Sequence, residues 1–279
     1  MDFDLFEKRY GAEYIQSRSN PKVVSFSKLT DKKYRDENKI FMAEGVKLTE
    51  EALRFADVES VVVSVSAAEK NPKAEDIASL AKENGVHIIL LPDSAFEKIS
   101  TEKAPQGVIA VVKYLTDKHV SGDFSVWQKD KRLLMLDEIR DPGNLGTIMR
   151  SAEALGVQGV VLSGCADIYG NKTVRSAMGT LFRLPLYITS AGGECVDIMK
   201  ENGRRVLAAA LGEHTLTLGE YEPEYSDCPI IGNEGHGISR EILDKCTACV
   251  RIPMAGSTES LNASAAASCI MWEYFRTFR

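Results

Sequence analysis

Short apolar runs rich in β-branched residues alternate with stretches of helical periodicity along most of this chain. Strand-like runs include VESVVVSV at 58–65, VHIILL at 86–91 and RLLMLDEI at 132–139. The stretches between them carry apolar residues on one helical face. Such alternation is typical of α/β domains, in which helices pack on a sheet. The pattern therefore predicts an α/β fold, with helices at about 45–55, 74–84, 94–99 and 145–155.

A polar, non-periodic segment interrupts this alternation near the middle of the 279-residue chain. Residues 116–130, TDKHVSGDFSVWQKD, have the composition of a linker. We therefore predict an N-terminal extension over 1–17, a small α/β domain over 18–115, the linker, and a second α/β domain over 131–279. In the last helix, apolar residues recur at helical spacing, and we expect them to form one buried stripe. They are Leu261, Ala265, Cys269, Trp272 and Phe275.

The composition is that of an ordinary globular protein, with 44% hydrophobic and 27% charged residues. No apolar run is long enough to cross a bilayer, and the first residues lack the layout of a signal peptide, so we expect a cytoplasmic protein. All six cysteines lie in the second half and are expected to be reduced thiols. Cys246 and Cys249 form a CxxC pair without a second pair nearby, which favours unlinked thiols over a metal site.

The formal net charge of −6 argues against bulk, non-specific binding to nucleic acid. It does not exclude a local basic surface, and residues 21–39 carry several cations interspersed with carboxylates. These cations are Lys22, Lys28, Lys32, Lys33, Arg35 and Lys39. Taken alone, this segment is more typical of a solvated helix face than of a binding surface.

Three polar clusters fall where strands of the second domain end, at 137–156, 231–239 and 252–267. Open α/β sheets bind their ligands beyond the carboxyl ends of the strands. Two of the clusters also have a structural explanation: the first is compatible with a turn and an Asn helix cap, and the second with a simple glycine loop. The second lacks the GxGxxG spacing of a dinucleotide site, which disfavours a nicotinamide dehydrogenase.

In this order and at these separations, the clusters resemble the three signature motifs of the TrmH/SpoU family of RNA ribose 2'-O-methyltransferases (SPOUT superfamily). Motif 1 is similar to N-L-G-x-x-x-R at Asn144–Arg150, and motif 2 to G-N-E-x-x-G at Gly232–Gly237. Motif 3, I-P-M-x-G-x-x-E-S-L-N, spans Ile252–Asn262 without departure. The segment Lys172–Gly179 also resembles the family's R-x-S-x-G segment. The first domain resembles the small RNA-binding α/β domain that many members carry.

This resemblance implies S-adenosylmethionine as methyl donor and RNA as substrate. It implies a methyltransferase domain with a mostly parallel sheet and a deep trefoil knot, although general topology rules would count against a knot. It further implies a homodimer formed through the second domain. Small residues in the loops near Leu211, Gly232 and Ile252 would let backbones approach closely around the cofactor, and Gly232 is expected to leave space for its adenosyl part.

The resemblance also assigns residues to roles, listed here by function. The catalytic candidates are Asn144, Arg150, Glu234, Ser260 and Asn262. The cofactor-binding candidates are Leu211, Gly212, Gly232, Asn233, Glu234, Gly235, Ile252, Pro253, Met254, Ser260 and Leu261. With an RNA substrate implied, Lys22, Lys28, Lys32, Lys33 and Arg35 become candidate phosphate contacts. No metal is expected to take part.

Arg150 is expected to bind the RNA phosphate and to stabilise the developing alkoxide, because an arginine with a pKa above about 12 is a poor proton acceptor. The identity of the base stays open. For Arg150, an ordinary surface ion pair is the alternative; for Glu234 and Asn262 it is a purely architectural role in their loops. Ribosomal RNA is favoured as substrate by the two-domain build. Transfer RNA, and a non-catalytic RNA-binding protein with this fold, remain alternatives.

Overall fold

The computed structural model describes residues 3–116, 120–121, 131–212, 215–257 and 260–276. They form two compact units, one made of residues 1–115 and 169–182, the other of residues 116–168 and 183–279. Both units combine helices with a sheet, which confirms the predicted α/β fold class. None of the helices in the described part of the chain is long and apolar enough to cross a bilayer.

The first unit contains a mixed five-stranded sheet within the described residues, in the order β1-β4-β3-β5-β2. Its strands are β1 (Glu13–Tyr14), β2 (Ile40–Glu44), β3 (Val58–Ser64), β4 (His87–Leu91) and β5 (Val108–Lys113). β1, β4 and β3 are parallel, and β5 runs antiparallel to both β3 and β2. Its helices are α1 (Phe3–Tyr10), α2 (Pro21–Ser27), α3 (Lys32–Asn38), α4 (Val46–Phe55), α5 (Val65–Lys70), α6 (Pro72–Glu83), α7 (Asp93–Ile99) and, from later in the chain, α9 (Asn171–Ala177).

Local sequence signals explain the helix boundaries of this unit. The predicted helices at about 45–55, 74–84 and 94–99 are confirmed as α4, α6 and α7. α6 begins at a proline capped by Asn71, and Gly85 follows its end in the left-handed conformation, with φ of 68°. Phe26, Phe96 and Ile89 lie in the buried core of this unit, since α2 and α7 pack together over the sheet.

The second unit is built on a sheet that has eight strands among the described residues, in the order β11-β13-β10-β12-β7-β8-β9-β6. Its strands are β6 (Val120–Ser121), β7 (Leu133–Asp137), β8 (Gly159–Ser163), β9 (Leu186–Thr189), β10 (Val206–Ala209), β11 (Thr215–Thr217), β12 (Cys228–Ile231) and β13 (Ala248–Arg251). Its helices are α8 (Pro142–Ala154), α10 (Gly192–Glu201), α11 (Arg240–Leu243) and α12 (Ala263–Phe275). All neighbouring strands pair in parallel.

The strand order of this sheet changes direction between β7 and β12. From β7 the chain adds β8 and β9 on one side, and it then crosses to build β10, β12 and β13 on the other. A reversal of this kind leaves a crevice at the carboxyl ends of the two central strands, because their following loops diverge to opposite sides. Motif 1 follows β7 and motif 2 follows β12, so the topology itself brings these two motifs together.

The predicted buried stripe of the last helix is wrong for four of its five residues. Leu261 and Trp272 are 39% and 49% exposed, and Ala265 and Cys269 are also exposed; only Phe275 is buried. The buried residues of α12 are Ala263, Ala267, Ile270, Met271, Tyr274 and Phe275. Because α12 is apolar on most of its faces, helical spacing alone is compatible with more than one stripe.

Candidate functional site

Motif 1 forms the first two turns of α8. The helix begins at Pro142, and its cap is Asp141, whose Oδ1 accepts a hydrogen bond from the Asn144 backbone nitrogen at 2.8 Å. The alternative of Asn144 as the helix cap is therefore not what the structure shows. Because Asp141 caps the helix, the Asn144 side chain is left to make hydrogen bonds with other loops.

Asn144 joins the three motifs directly. Its Nδ2 donates to Glu234 Oε1 at 2.7 Å, and its Oδ1 accepts from Asn262 Nδ2 at 3.1 Å. The Asn262 Oδ1 also accepts from the Ser264 backbone nitrogen at 2.9 Å and so caps α12. We call Asn144, Glu234 and Asn262 the motif junction. Because residues far apart in sequence meet here in one hydrogen-bonded row, an isolated turn or cap does not account for the three motifs.

The motif 2 loop is held together by Asn233. Its Oδ1 accepts from the backbone nitrogens of Gly235 and His236, at 2.7 and 3.3 Å, and its Nδ2 donates to the backbone oxygen of Glu138 at 2.8 Å. Backbone hydrogen bonds in both directions join Asn233 to Gly237 and close the loop. The loop is therefore fixed to the end of β7 before any ligand binds.

Gly232 lies where the motif 2 loop closes on itself. A Cβ atom at this position would lie 2.5 Å from the carbonyl carbon of Gly237 and 2.5 Å from the nitrogen of Ile238. Both atoms belong to backbone, which cannot swing aside as a flexible side chain does. Gly232 therefore leaves space for the closing of its own loop. That Gly232 also leaves space for the adenosyl group stays a prediction.

Comparison with known proteins identifies the family. Residues 131–272 match the model of the SpoU rRNA Methylase family, and residues 20–110 match that of the MRM3-like substrate binding domain. The chain is 32% identical to the 23S rRNA (guanosine(2553)-2'-O)-methyltransferase RlmP of Bacillus subtilis (strain 168), over 92% of this chain and 97% of that protein.

The chain belongs to the SpoU rRNA methylase family.

Other relatives agree with this family. A putative TrmH family tRNA/rRNA methyltransferase of Staphylococcus haemolyticus is 33% identical over 74% of this chain and 84% of its own. The AdoMet-bound rRNA methyltransferase from Sinorhizobium meliloti superimposes with a TM-score of 0.81 at 29% identity, covering 96% of this chain and 99% of its own. The methyltransferase AviRb from Streptomyces viridochromogenes, in complex with AdoMet, has a TM-score of 0.79 at 26% identity, over 92% and 98% of the two chains.

Arg150 of this SpoU-family chain lies apart from the motif junction. It follows Asn144 by six residues on α8, about 9 Å along a helix axis at 1.5 Å per residue. Its side chain is exposed, and within the described residues it has no hydrogen bond or ion pair. The alternative of an ordinary surface ion pair therefore has no support among those residues.

The remaining candidates for cofactor binding lie in loops at the carboxyl edge of β10, β12 and β13. Leu211, Met254 and Leu261 expose 78%, 40% and 39% of their surface, an unusual exposure for three large apolar side chains in nearby loops. Gly212 lies against Cys249, whose Sγ would be 2.8 Å from a Cβ added at the glycine. Two candidates lie in exposed positions, Ser260 and Gly235, and Ile252 is half-buried. Pro253 instead lines a groove beside α12.

The predicted RNA-binding residues of the first unit divide into two groups. Arg35 is 3% exposed, and its guanidinium donates to the backbone oxygens of Leu29 and Thr30 at 2.7 and 2.9 Å. It is therefore a structural residue, and its assignment as a phosphate contact is corrected. The four lysines are exposed.

Most of these exposed lysines already face a carboxylate. Lys22 lies 2.5 Å from Glu13, Lys32 lies 2.7 Å from Asp36, and Lys33 lies 4.0 Å from Glu37. Lys28 lies over the ring of Tyr34, 5.6 Å from its centroid. Exposed pairs of this kind are worth little, so they do not prevent the lysines from meeting a polyanion.

The sequence analysis did not single out Glu138, Arg140 and His236. The Glu138 carboxylate lies 2.9 Å from Arg140 and 3.2 Å from His236 Nε2, between motif 1 and the motif 2 loop. The only available signal was their position just after β7 and β12, because each residue type is common on surfaces.

All six cysteines are free, and four of them contribute to the core of the second unit. Burial raises the pKa of the Cys228 and Cys246 thiols to about 12, so both stay protonated at neutral pH. In the part of the chain that the structure describes, no group of three or more His, Cys, Asp or Glu side chains is arranged to hold a metal ion.

Proposed function

We propose that this protein transfers a methyl group from S-adenosylmethionine to a ribose 2'-hydroxyl of ribosomal RNA. The observation that carries this proposal is the motif junction, in which Asn144, Glu234 and Asn262 form one hydrogen-bonded row at the crevice between β7 and β12. The Bacillus subtilis relative, named as a 23S rRNA 2'-O-methyltransferase, matches along almost its whole length and supports this substrate class.

The loops around the crevice fit S-adenosylmethionine. Its adenine has apolar faces and a polar edge, and the exposed side chains of Leu211, Met254 and Leu261 supply apolar surface beside loops rich in backbone donors and acceptors. When bound, the cofactor supplies a methyl group activated by a sulfonium. Gly232 keeps the motif 2 loop closed beside it, and Asn233 fixes that loop to β7.

The chain itself supplies position and charge. We assign Arg150 to the RNA phosphate and to the developing alkoxide, because its exposed guanidinium has no hydrogen bond or ion pair with the described residues and is available to bind an anion in a two-pronged manner. Asn144, Glu234 and Asn262 hold the motif loops in register with each other. Ser260 and the other cofactor-binding candidates named above are assigned to the binding of S-adenosylmethionine.

The first unit is proposed to bind the RNA. Its match to a substrate-binding domain over 20–110 supports this role, and the exposed Lys22, Lys28, Lys32 and Lys33 are the proposed phosphate contacts. The proposed domain division is an extension over 1–17, this domain over 18–115, a linker over 116–130 and a methyltransferase domain over 131–279. Residues 169–182 of that last range form part of the first unit.

A trefoil knot is proposed for the second unit. β13 lies between β10 and β11 in the sheet, although β10 ends at Ala209 and β11 begins only a few residues later, at Thr215. Gly212 in that connection lies against Cys249 of β13, which supports a path of the connection across the face of β13. If the chain that leaves β13 passes beneath this connection, it is enclosed by a loop, which is the arrangement that a knot requires.

A homodimer through the second unit is also proposed, in the cytoplasm where ribosomal RNA is found. An exposed groove of about 640 Å³ between α8 and α12 supports it, since its walls include Leu155, Leu218, Pro253 and Trp272. Contiguous exposed apolar surface of this kind marks association sites. Arg150 lies one helical turn from Ala154, which also lines the groove, so the interface would border Arg150. We expect Trp272→Glu to yield a monomer in sedimentation velocity, against a dimer for the unchanged chain.

The experiment that tests the function is methyl transfer to isolated RNA. The purified protein is incubated with methyl-labelled S-adenosylmethionine and with ribosomal RNA or transfer RNA from a strain lacking the protein, and ribose methylation is mapped. We expect one labelled ribose in ribosomal RNA. Label in transfer RNA would establish the other substrate, which the tRNA/rRNA name of the Staphylococcus relative supports. Binding of both cofactor and RNA without transfer would establish a non-catalytic member.

A further inference from the structure

A groove of the first unit lies between α4 and α6, beside the loop that precedes β5. Its volume is about 720 Å³, within the range of roughly 300–1,000 Å³ that is typical of ligand sites. The groove is separate from the lysine segment 21–39, because the cluster of described residues that α2 and α7 bury together over the sheet includes none from α4 or α6. The proposed function leaves this groove without a role.

The groove has an apolar floor. Ile77 of α6 is 2% exposed, and Leu80 of the same helix and Val46 at the start of α4 are half-buried. Burial of apolar surface is favourable, so a floor of this kind suits the flat face of an uncharged ring. A nucleobase has such a face.

Gln106 carries an amide of fixed orientation on the wall of the groove. Its side chain is exposed, and its Oε1 accepts a hydrogen bond from the Val46 backbone nitrogen at 2.9 Å. An N–H donor needs the amide oxygen opposite it, so the amide nitrogen Nε2 points away from Val46. Within the described residues, Nε2 has no acceptor of its own. Gln106 therefore offers a positioned hydrogen-bond donor to a ligand.

Three cations line the groove. Lys73, in the first turn of α6, is exposed and makes no ion pair in the described part of the chain. Lys47 and Arg54 each lie 2.9 Å from a glutamate of their own helix. Exposed pairs of this kind are worth little, but Lys73 has no pair to give up. Lys73 is therefore the cation best placed to meet a phosphate.

The carboxylates of the groove argue against a ligand that is wholly anionic. Glu50 lies against Lys47 and Arg54, whereas Asp76 is exposed and has no ion pair with any described residue. A carboxylate repels a phosphate, but it accepts hydrogen bonds from the N–H groups of a base edge. An apolar floor, a donor at Gln106 and an acceptor at Asp76 thus suit a base, and Lys73 suits the phosphate attached to it.

We propose that this groove holds one unstacked nucleotide from a single-stranded part of the substrate RNA. The inference rests on the proposed function and adds a recognition site to it. Sequence-specific recognition of RNA targets bases that are splayed out of a helix, because side chains do not reach base edges in the narrow major groove of a paired helix. Lys73 binds the phosphate, Gln106 and Asp76 bind the base edge, and Ile77 and Leu80 lie under the base.

Cross-linking tests the location of the site. The full chain is mixed with ribosomal RNA that contains 4-thiouridine, isolated from a strain lacking the protein, and irradiated. We expect mass spectrometry to find cross-linked nucleotides on peptides of α4, of α6 or of the loop that ends at Gln106. Cross-links that fall only on other parts of the chain, residues 21–39 included, would overturn the proposal.

Two variants test the roles of the charged residues in binding of the same RNA. Lys73→Ala should lower the slope of log affinity against log salt concentration by about 0.7, the value for one phosphate of a single strand. The matched control is Lys82→Ala, because Lys82 lies on the same helix outside the groove and donates to the Arg9 backbone oxygen at 2.7 Å. Asp76→Ala should weaken RNA binding about fivefold through the lost hydrogen bond, although removal of a negative charge by itself favours RNA.

Equal slopes in Lys73→Ala and Lys82→Ala would overturn the proposal, and so would tighter RNA binding by Asp76→Ala. Thermal unfolding and S-adenosylhomocysteine affinity should be unchanged in all three variants, which separates a lost RNA contact from a damaged fold. If the unchanged protein methylates RNA and the groove variants bind RNA as it does, this inference alone fails. If the unchanged protein neither binds nor methylates RNA, the proposed function fails and the inference falls with it.

Discussion

The lysines of residues 21–39 and Arg150 are both exposed cations, but their surroundings differ. Lys22, Lys32 and Lys33 each face a carboxylate of their own unit, two of them across one helical turn. Arg150 has no such partner among the described residues. The ion pairs of the lysines are what a solvated protein surface ordinarily shows. No such pairing among the described residues explains the position of Arg150.

The proposed roles of these two groups of cations therefore rest on different kinds of evidence. The proposed RNA role of the lysines rests on the match of 20–110 to a substrate-binding domain, and their geometry adds little to it. The proposed role of Arg150 rests on geometry as well, since its guanidinium has no ion pair among the described residues and follows the motif junction on the same helix. We therefore expect removal of Arg150 to affect chemistry, and removal of the lysines to affect RNA affinity alone.

The largest effect is expected from Arg150→Ala. It should fold and bind S-adenosylhomocysteine normally, yet lose about a hundredfold or more in single-turnover rate, because it removes a charge that stabilises the transition state. Arg150→Lys should restore only part of the rate, since an ammonium does not reproduce a planar two-pronged donor.

The matched control is Arg240→Ala. Arg240 is also an exposed arginine of the second unit, but it pairs with Asp244 at 3.0 Å. Its loss should cost less than about 1 kcal/mol in unfolding free energy and leave the rate unchanged. A near-normal rate in Arg150→Ala would show that Arg150, like Arg240, takes no part in methyl transfer.

The second effect concerns the motif 2 loop. Gly232→Ala should lower the free energy of unfolding by about 1–3 kcal/mol and weaken S-adenosylhomocysteine binding, because the new Cβ meets loop backbone at 2.5 Å. Gly256→Ala is the control for stability, since no atom of the described residues lies within 4 Å of a Cβ there. Thermal unfolding compares the stability of the two variants, and calorimetry measures S-adenosylhomocysteine binding by Gly232→Ala. An equal loss of unfolding free energy in the two variants would show that the close approach at Gly232 is unimportant.

The smallest effect is expected from the lysines. Replacing Lys28, Lys32 and Lys33 together by Ala should flatten the dependence of RNA affinity on salt by about 0.7–0.9 log units for each phosphate that the protein no longer neutralises, with cofactor affinity unchanged. Among the single variants, Lys28→Ala should matter most, because Lys28 faces the Tyr34 ring and the other two face carboxylates. An unaltered salt dependence of RNA affinity in the triple variant would show that these lysines belong to a solvated surface and do not contact RNA phosphates.

The sequence predicted the fold class and the helices α4, α6, α7 and α8, because these follow from periodicity and capping, and motif order placed the three motifs at the ends of strands. It did not predict that Arg35 is buried, with its guanidinium donating to two backbone oxygens just after α2. Nor did it predict which face of α12 is buried. Both depend on which surfaces meet in three dimensions, and a residue type in one segment carries little information about that.

The role of Gly232 shows the same limit within a motif. A glycine in a signature indicates close approach, but the sequence does not say whether a ligand or the chain's own backbone comes close. In the structure it is the backbone of Gly237 and Ile238. Glu138 was missed for a related reason, since nothing in its neighbours' sequence predicts a left-handed residue after β7.

The central claim is that the hydrogen bond between Asn144 and Glu234, ninety positions apart in sequence, holds the motif loops in the register that methyl transfer needs. A double-mutant cycle tests it directly, with single-turnover rates for Asn144→Ala, Glu234→Ala and the double variant. A hydrogen bond to a charged group is worth about 1.5 kcal/mol or more, so each single variant should lose about tenfold in rate. If the two residues act together, the double variant should be close to the slower single variant. Losses that multiply to about a hundredfold would show two independent residues and contradict the account.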